Sequence, residues 1–452
     1  MAESLAGSRV VQKALMRPVR LVPLAFLAVI TVGTLLLLLP WAHAGEGSAT
    51  LVAAAFTAVS ATCVTGLTAV DTATYWTTFG HAVMVLLTQV GGFGIMSAAT
   101  LLAFIVRGKM DLSGSLVAQT EKQTSGLGDV SSILIRIGLA MGITEGIVWV
   151  LLTVRFLMRG MAPLEAIWQG LFYACCAFTN AGFTLTTDSL MGYVVDPFLM
   201  WPIFLAVFMG SLGYPVLFEL GKSWRTPRVW SVHTRITFWG WVALALVGFF
   251  AFIAFEWTNP HTLGPMSVAT KVTAATSGAI MPRSGGFNAV DYSLIKEESV
   301  VVTIILMFIG GGSAGTSGGL KVSTFFLLAF VILAEIRGEP EVTVAHRSIG
   351  VVTQRRAVTV ALLSVGLVTL ATIVLVIMTD LPLVAVVFDV VSAFGTVGLS
   401  LGVTPELPPA GQVILMVLMF VGRVGTVTAA SAFALRTRRR HYSLPEERPI
   451  VG

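Results

Sequence analysis

The chain has 452 residues, of which 56% are hydrophobic and only 11% charged, with 45 glycines and a formal net charge of +5. Soluble domains carry about 25% charged residues, so this composition excludes an ordinary soluble domain and points to a polytopic membrane protein. Excess Lys and Arg in such a chain reports topology rather than nucleic-acid binding.

A basic stretch (Arg9, Lys13, Arg17, Arg20) opens the chain, and Leu21–Trp41 follows as the first apolar run. Ala42-His43-Ala44 resembles a signal-peptidase site, but the run before it is long for a cleaved signal and reads as a spanning helix. Further long runs cover roughly 75–105, 132–158, 197–221, 234–256, 299–335, 357–379 and 411–435. Each successive pair encloses a shorter apolar run: 49–62, 164–178, 266–281 and 382–394. These runs are too short to cross and read as re-entrant half-helices. The expected fold is an all-α polytopic membrane protein with 8 spanning helices and 4 re-entrant half-helices. Four parallel helix–pore-loop–helix repeats surround a pseudo-fourfold pore. The expected units are a cytoplasmic segment 1–18, repeats 19–107, 131–222, 234–337 and 355–436, and a cytoplasmic tail 437–452.

Thr396-Val397-Gly398 matches three residues of the loop whose backbone carbonyls replace the hydration shell of K+ in channels. Thr62-Cys63-Val64-Thr65-Gly66, Phe178-Thr179-Asn180-Ala181-Gly182 and Arg283-Ser284-Gly285-Gly286 stand in register with it. Each follows a short apolar run and precedes a bulky residue (Leu67, Phe183, Phe287, Leu399). The glycines 66, 182, 286 and 398 are 116, 104 and 112 residues apart. A second landmark, around Gly91, Gly210, Gly310 and Gly422, falls 24 to 28 residues after each of them. Two landmarks at matched offsets in four copies define a repeat. Taken singly, the small and hydroxylated residues here are ordinary helix packing. The fourfold register makes a candidate selectivity filter of Thr62, Val64, Thr65 and Gly66; Thr179, Asn180, Ala181 and Gly182; Ser284, Gly285 and Gly286; and Thr396, Val397 and Gly398, with K+ held by their backbone carbonyls. Leu or Phe after each glycine, in place of Tyr-Gly, leaves one equivalent glycine per quarter. Cation selectivity is expected, and its strictness is left open.

In the third repeat the second landmark extends into Gly310-Gly311-Gly312-Ser313-Ala314-Gly315-Thr316-Ser317-Gly318-Gly319. Each glycine costs a helix about 1 kcal/mol relative to Ala, so a break is expected here and the stretch is a candidate gate. Close helix packing by small residues is the competing reading. Its match to a dinucleotide fingerprint carries no weight without a preceding strand. Arg423 stands at the position of Gly311 in the fourth repeat, deep in an apolar run, where a charge faces a cavity or a partner. With Lys321 it completes the candidate gate.

If both termini are cytoplasmic, the inner segments hold 21 of the 28 basic residues and the outer segments five, including Arg283. The outer acids, among them Asp71, Asp188, Asp196, Glu256, Asp291 and Asp389, either concentrate cations at a mouth or are solvated loop charges. Asp71 and Asp291 are the stronger candidates for the mouth, because the repeat places both beside it. Cys63, Cys175 and Cys176 read as buried thiols without zinc spacing, and the six histidines are scattered, so no enzyme site is expected.

Thr65-Gly66-Leu67 with Asp71-Thr72, Tyr75 to Gly80, Gln89 to Met96, the glycine-rich loop and Ser392 to Ser400 resemble the Trk/Ktr/HKT superfamily of potassium transporters, over nearly the whole chain. The pattern is most similar to the KtrB type. Ser284-Gly285 departs from the Thr-Ala more usual in the third filter. The resemblance implies an ion-conducting subunit of the bacterial plasma membrane, a homodimer with one pore per protomer. It also implies a cytosolic nucleotide-binding ring of the KtrA or KtrC type, with ATP or ADP on that partner and no covalent cofactor on this chain. Tyr442 to Gly452 resembles the family's tail at the dimer interface. A TrkH-like subunit, a pore passing sodium or ammonium, and an alternating-access transporter are the alternatives.

Overall fold

The structure, a computed structural model, describes residues 18–114 and 127–425. The expected N-terminal segment, the tail and its dimer contact, and the basic residues Arg9, Lys13, Arg17 and Lys122 and those from Arg436 onward lie outside the described residues. The longer helices in order are α1 (Pro18–Leu37), α2 (Leu51–Thr62), α3 (Thr78–Gly114), α4 (Leu127–Met158), α5 (Pro163–Thr179), α6 (Pro197–Leu212), α7 (Tyr214–Ser223), α8 (Val232–Glu256), α9 (Val268–Ile280), α10 (Glu297–Phe308), α11 (Val322–Arg337), α12 (Val351–Met378), α13 (Leu383–Gly395) and α14 (Pro409–Phe420), with a single helical turn, Thr72–Tyr75, between α2 and α3. A π-turn, Val421–Gly425, continues α14.

Local chemistry sets several of these starts. Thr50, Ser231 and Ser267 accept hydrogen bonds from backbone N–H groups of Ala53, Thr234 and Thr270, capping α2, α8 and α9. Pro163 and Pro197 sit in the first turns of α5 and α6, where the missing N–H costs nothing. Among the described residues four helices have the length and apolar character to cross a membrane: Thr78–Ala98 within α3, Ser132–Met158 within α4, α8 and α12. The pair α6–α7 makes a fifth when counted as one span.

Two features depart from the expected elements, and one expected break is present. The run read as one helix over 197–221 breaks at Gly213, where α6 and α7 meet at 105°. The run 299–335 is two helices separated by Ile309 to Lys321. A two-residue antiparallel ribbon, Thr343–Val344 with Arg347–Ser348, joins α11 to α12 in an otherwise helical chain. Its turn residues Ala345 and His346 both have positive φ, the signature of a tight hairpin turn.

Large apolar side chains cover the exterior, while the interior mixes buried aromatic, small and polar residues. Leu139, Ile143 and Ile147 of α4 and Leu362 and Leu363 of α12 are exposed, whereas α2, α5, α9 and α13 are buried along their C-terminal halves. Each of these four short helices packs against the long helix before it: α2 on α1, α5 on α4, α9 on α8 and α13 on α12. Each is also met by an element from elsewhere in the chain: α3 on α5, α6 on α9, α10 on α13 and α14 on α2. The last of these contacts returns to the first short helix and closes a circle.

Candidate functional site

The ends of the four short helices meet at four glycines. Gly66, Gly182, Gly286 and Gly398 have φ of 85°, 66°, 74° and 97°, a region that costs L-residues about 1–2 kcal/mol. The space a Cβ would need is filled by a neighbouring segment in every case. A Cβ on Gly66 falls on the Ala181 carbonyl oxygen, and one on Gly398 on the Thr65 carbonyl oxygen. One on Gly182 lies 2.8 Å from Gly286 Cα, and one on Gly286 lies 2.5 Å from the Val397 oxygen. Each glycine touches the next, so the four form a closed ring with backbone oxygens crowded into it.

Two residues before each glycine stands a second positive φ: Val64 (55°), Asn180 (63°), Ser284 (75°) and Thr396 (47°). None is Gly, and two are β-branched, for which this conformation is an outlier. Strain of this kind gathers at functional sites. Helix-end hydrogen bonds hold it: Thr65, Ala181 and Val397 donate their N–H to Ser60, Cys176 and Ser392 oxygens at 2.8, 2.8 and 2.9 Å. In the third segment Gly285 and Gly286 both donate to Met281, at 2.8 and 3.4 Å. These are Schellman-like caps built without the customary glycine.

Two serines that the sequence reading did not single out for a role tie the glycines to their helices. Ser60 Oγ accepts from Gly66 N at 3.1 Å and donates to the Leu67 oxygen at 2.8 Å. Ser392 Oγ accepts from Gly398 N at 3.1 Å. Both stand six residues before their glycine; the same place holds Cys176 and Ile280 in the other two segments. Ser284 Oγ donates to the Thr396 oxygen at 2.5 Å, joining the third segment to the fourth. The hydroxyls of Thr62, Thr65 and Thr396 are buried without a hydrogen-bond partner. Buried polar atoms of this kind call for a ligand or water.

The second landmark meets the first. A Cβ on Gly91, Gly210 or Gly422 would fall on the carbonyl oxygen of Thr62, Phe178 or Phe394, the last turns of α2, α5 and α13. Gly310 differs: it faces the Gly318 oxygen instead, and its N–H donates to the Leu320 oxygen at 2.8 Å.

The stretch Gly310 to Gly319 packs against the ring. Gly318 lies on the Thr396 side chain and Gly319 on Gly395. Asn180, with its amide oxygen toward the loop, accepts from Ser317 Oγ at 3.3 Å and donates to the Ala177 and Val207 oxygens at 2.9 and 3.2 Å. The loop is also stitched to the break at Gly213. Gly312 N donates to the Ser211 oxygen at 2.7 Å, Thr316 N to the Gly210 oxygen at 3.1 Å, and Tyr214 N to the Ala314 oxygen at 3.3 Å. The carbonyls freed where α6 breaks are thus satisfied by the loop.

Three cations hold the loop's carbonyls. Arg423, fully buried in the π-turn, donates to the Thr316 oxygen and, at 3.5 Å, to the Gly91 oxygen. Lys321 donates to the Ser317 oxygen. Arg283 donates to the Gly310 oxygen at 3.1 Å. Among the described residues none of the three has a carboxylate within ion-pair distance. Arg283, counted with the outer segments, is fully buried just after the third short helix, in the segment between α8 and α10.

Of the acids counted with the outer segments, three are buried rather than solvated. Asp389 is buried and accepts from Ser400 Oγ, Leu401 N and Thr404 Oγ1 at 2.8, 3.2 and 2.5 Å, pinning the chain that leaves Gly398. Glu256 is buried and accepts from Asn259, Thr262, Lys296 N and Ser299. Asp196 is buried against Arg155 and Arg159. Asp71 and Asp291 are half-buried caps; Asp71 also accepts from Thr187 Oγ1 at 3.0 Å, bridging the first two segments.

The exterior and the helix lengths define a multi-helix membrane protein, organised about a buried ring of backbone. The chain belongs to the TrkH family of cation transport proteins, whose model matches residues 5–439. It is 35% identical to Ktr system potassium uptake protein B of Bacillus subtilis, covering 99% of this chain and 100% of that one. It is 30% identical to the potassium/sodium uptake protein NtpJ of Enterococcus hirae (96% and 97% covered) and 31% identical to Ktr system potassium uptake protein B of Vibrio alginolyticus (96% and 94%). The solved structure of the potassium transporter TrkH from Vibrio parahaemolyticus shares the fold, with a TM-score of 0.69 at 18% identity over 92% of this chain and 84% of that one.

Proposed function

We propose that the chain takes up potassium by conducting it through the ring of Gly66, Gly182, Gly286 and Gly398. The observation that carries this reading is the closure of the ring, where neighbouring backbone, including the Ala181, Val397 and Thr65 oxygens, occupies every Cβ position. In this reading α2, α5, α9 and α13 are re-entrant half-helices between eight crossings, in four parallel repeats about a pseudo-fourfold pore. Their C-terminal ends carry the negative pole of the helix dipole toward the cation. Irregular backbone at membrane depth is tolerated because it lines a water-filled path. The unpartnered hydroxyls of Thr62, Thr65 and Thr396 supply further oxygens.

Gly310 to Gly319, with Lys321 and Arg423, is the gate under the filter. The hydrogen bonds of Arg423 to Thr316 and of Lys321 to Ser317 support that role. Relatives named as potassium uptake proteins support the choice of ion, and the potassium/sodium protein among them keeps sodium as the second cation. Relatives named as parts of a Ktr system support a cytosolic regulatory partner. That partner is a nucleotide-binding ring that carries the ATP or ADP, and the chain itself is a homodimer in the plasma membrane with both termini cytoplasmic. The test is expression, with the regulator, in bacteria lacking their own potassium uptake. Growth at low potassium and rubidium influx are expected; neither appearing while the chain is present in the membrane overturns the proposal. Sodium influx matching rubidium influx would decide for the second cation.

A further inference from the structure

We infer that Arg283 is a positioning residue that ties the third filter segment to the start of the loop, so that ring and loop keep their shape together. The inference rests on the proposed conduction path. Arg283 ends a single 3-10 turn, Met281–Arg283, directly before the positive-φ Ser284 and three residues before Gly286. Its side chain is fully buried. One terminal nitrogen donates to the Trp241 oxygen of α8 at 3.2 Å and the other to the Gly310 oxygen at 3.1 Å, while the guanidinium carbon lies 4.8 Å from the Trp241 ring centroid. Gly310 is the first residue of the loop, two residues beyond the end of α10.

One planar group therefore joins the end of α9, the middle of α8 and the point where α10 gives way to the loop. The other segments show why it is needed here. Gly91, Gly210 and Gly422 rest directly on the last carbonyls of their short helices. In the third repeat Gly310 has turned toward Gly318, and that direct contact is missing. The guanidinium restores the connection from the filter side. The residues at the matching place in the other segments are Cys63, Thr179 and Gly395, none long enough to do so. A fork that serves two carbonyls and lies over an indole suits Arg and not Lys, which offers a single point of charge.

The test compares the unaltered chain, Arg283→Lys and Arg283→Gln in lipid vesicles, normalised to folded protein. Half-saturating rubidium, the rubidium-to-sodium ratio and maximal rate are read separately. Loss of one charge-assisted hydrogen bond corresponds to about tenfold. Arg283→Gln is expected to raise half-saturating rubidium by that order and to lower the rubidium-to-sodium ratio, with Arg283→Lys between. Identical half-saturation and ratio in all three, or a fall in maximal rate alone, overturns the inference. If Arg283→Gln does not reach the membrane, Arg283→Lys against the unaltered chain decides by the same two readings. An unaltered chain that carries no rubidium overturns the conduction path itself.

Discussion

Ser60 and Ser392 each hold a ring glycine by its N–H, and Ser60 also holds the following carbonyl. Replacing Ser60 by Ala leaves the Gly66 N–H buried and unpaired, a cost of about 1–3 kcal/mol. Ser60→Ala is expected to lower rubidium-over-sodium preference several-fold, with helix content unchanged by circular dichroism; a preference equal to that of the unaltered chain would contradict the tether. The ring glycines were legible in the sequence because only Gly is easily placed at positive φ and the repeat displayed four of them. The positive φ of Val64, Asn180, Ser284 and Thr396 was not legible, because no shared side-chain chemistry marks it. The burial of Arg283, Glu256 and Asp389 was not legible, since a count of charges along a chain carries no information about which side chains pack inside the protein. Only the partners, Gly310 for Arg283 and Thr404 for Asp389, reveal that these charges are inside.

Among the elements, the four short helices were readable from length alone, because 12 to 17 residues do not cross a membrane of about 30 Å. The run of glycines likewise foretold the break after α10. The break between α6 and α7 was hidden, since one glycine in an apolar run is common in membrane helices. Its cause is tertiary: Gly213 has φ of 88°, and a Cβ there would lie 2.5 Å from the Ser313 oxygen. Gly213→Ala therefore sets the α6–α7 break against the loop, with backbone strain of about 1–2 kcal/mol. The loop is expected to leave its place, raising both rubidium flux through the partner-free chain and thiol labelling of a Ser313→Cys probe. Unchanged flux and labelling would show that the break does not hold the loop.

Across the whole molecule, the circle of contacts that ends with α14 on α2 makes each glycine-bearing segment depend on two others. The segments are alike in backbone and unlike below it. Three landmark glycines seal against short-helix carbonyls, while the third repeat opens into a loop held by Arg283, Lys321 and Arg423. On the proposed function, selection belongs to the shared ring and control to the asymmetry beneath it. The ring is tested most directly by Gly66→Ser and Gly398→Ser beside the unaltered chain, measuring the rubidium-to-sodium flux ratio in vesicles. Each Ser must adopt a positive φ and meet a neighbour's carbonyl, and strain of about 1–2 kcal/mol is worth roughly tenfold. The ratio is predicted to fall by about that factor in both variants while the chains remain folded. A ratio unchanged in both would contradict the four-glycine ring as the place where the ion is chosen.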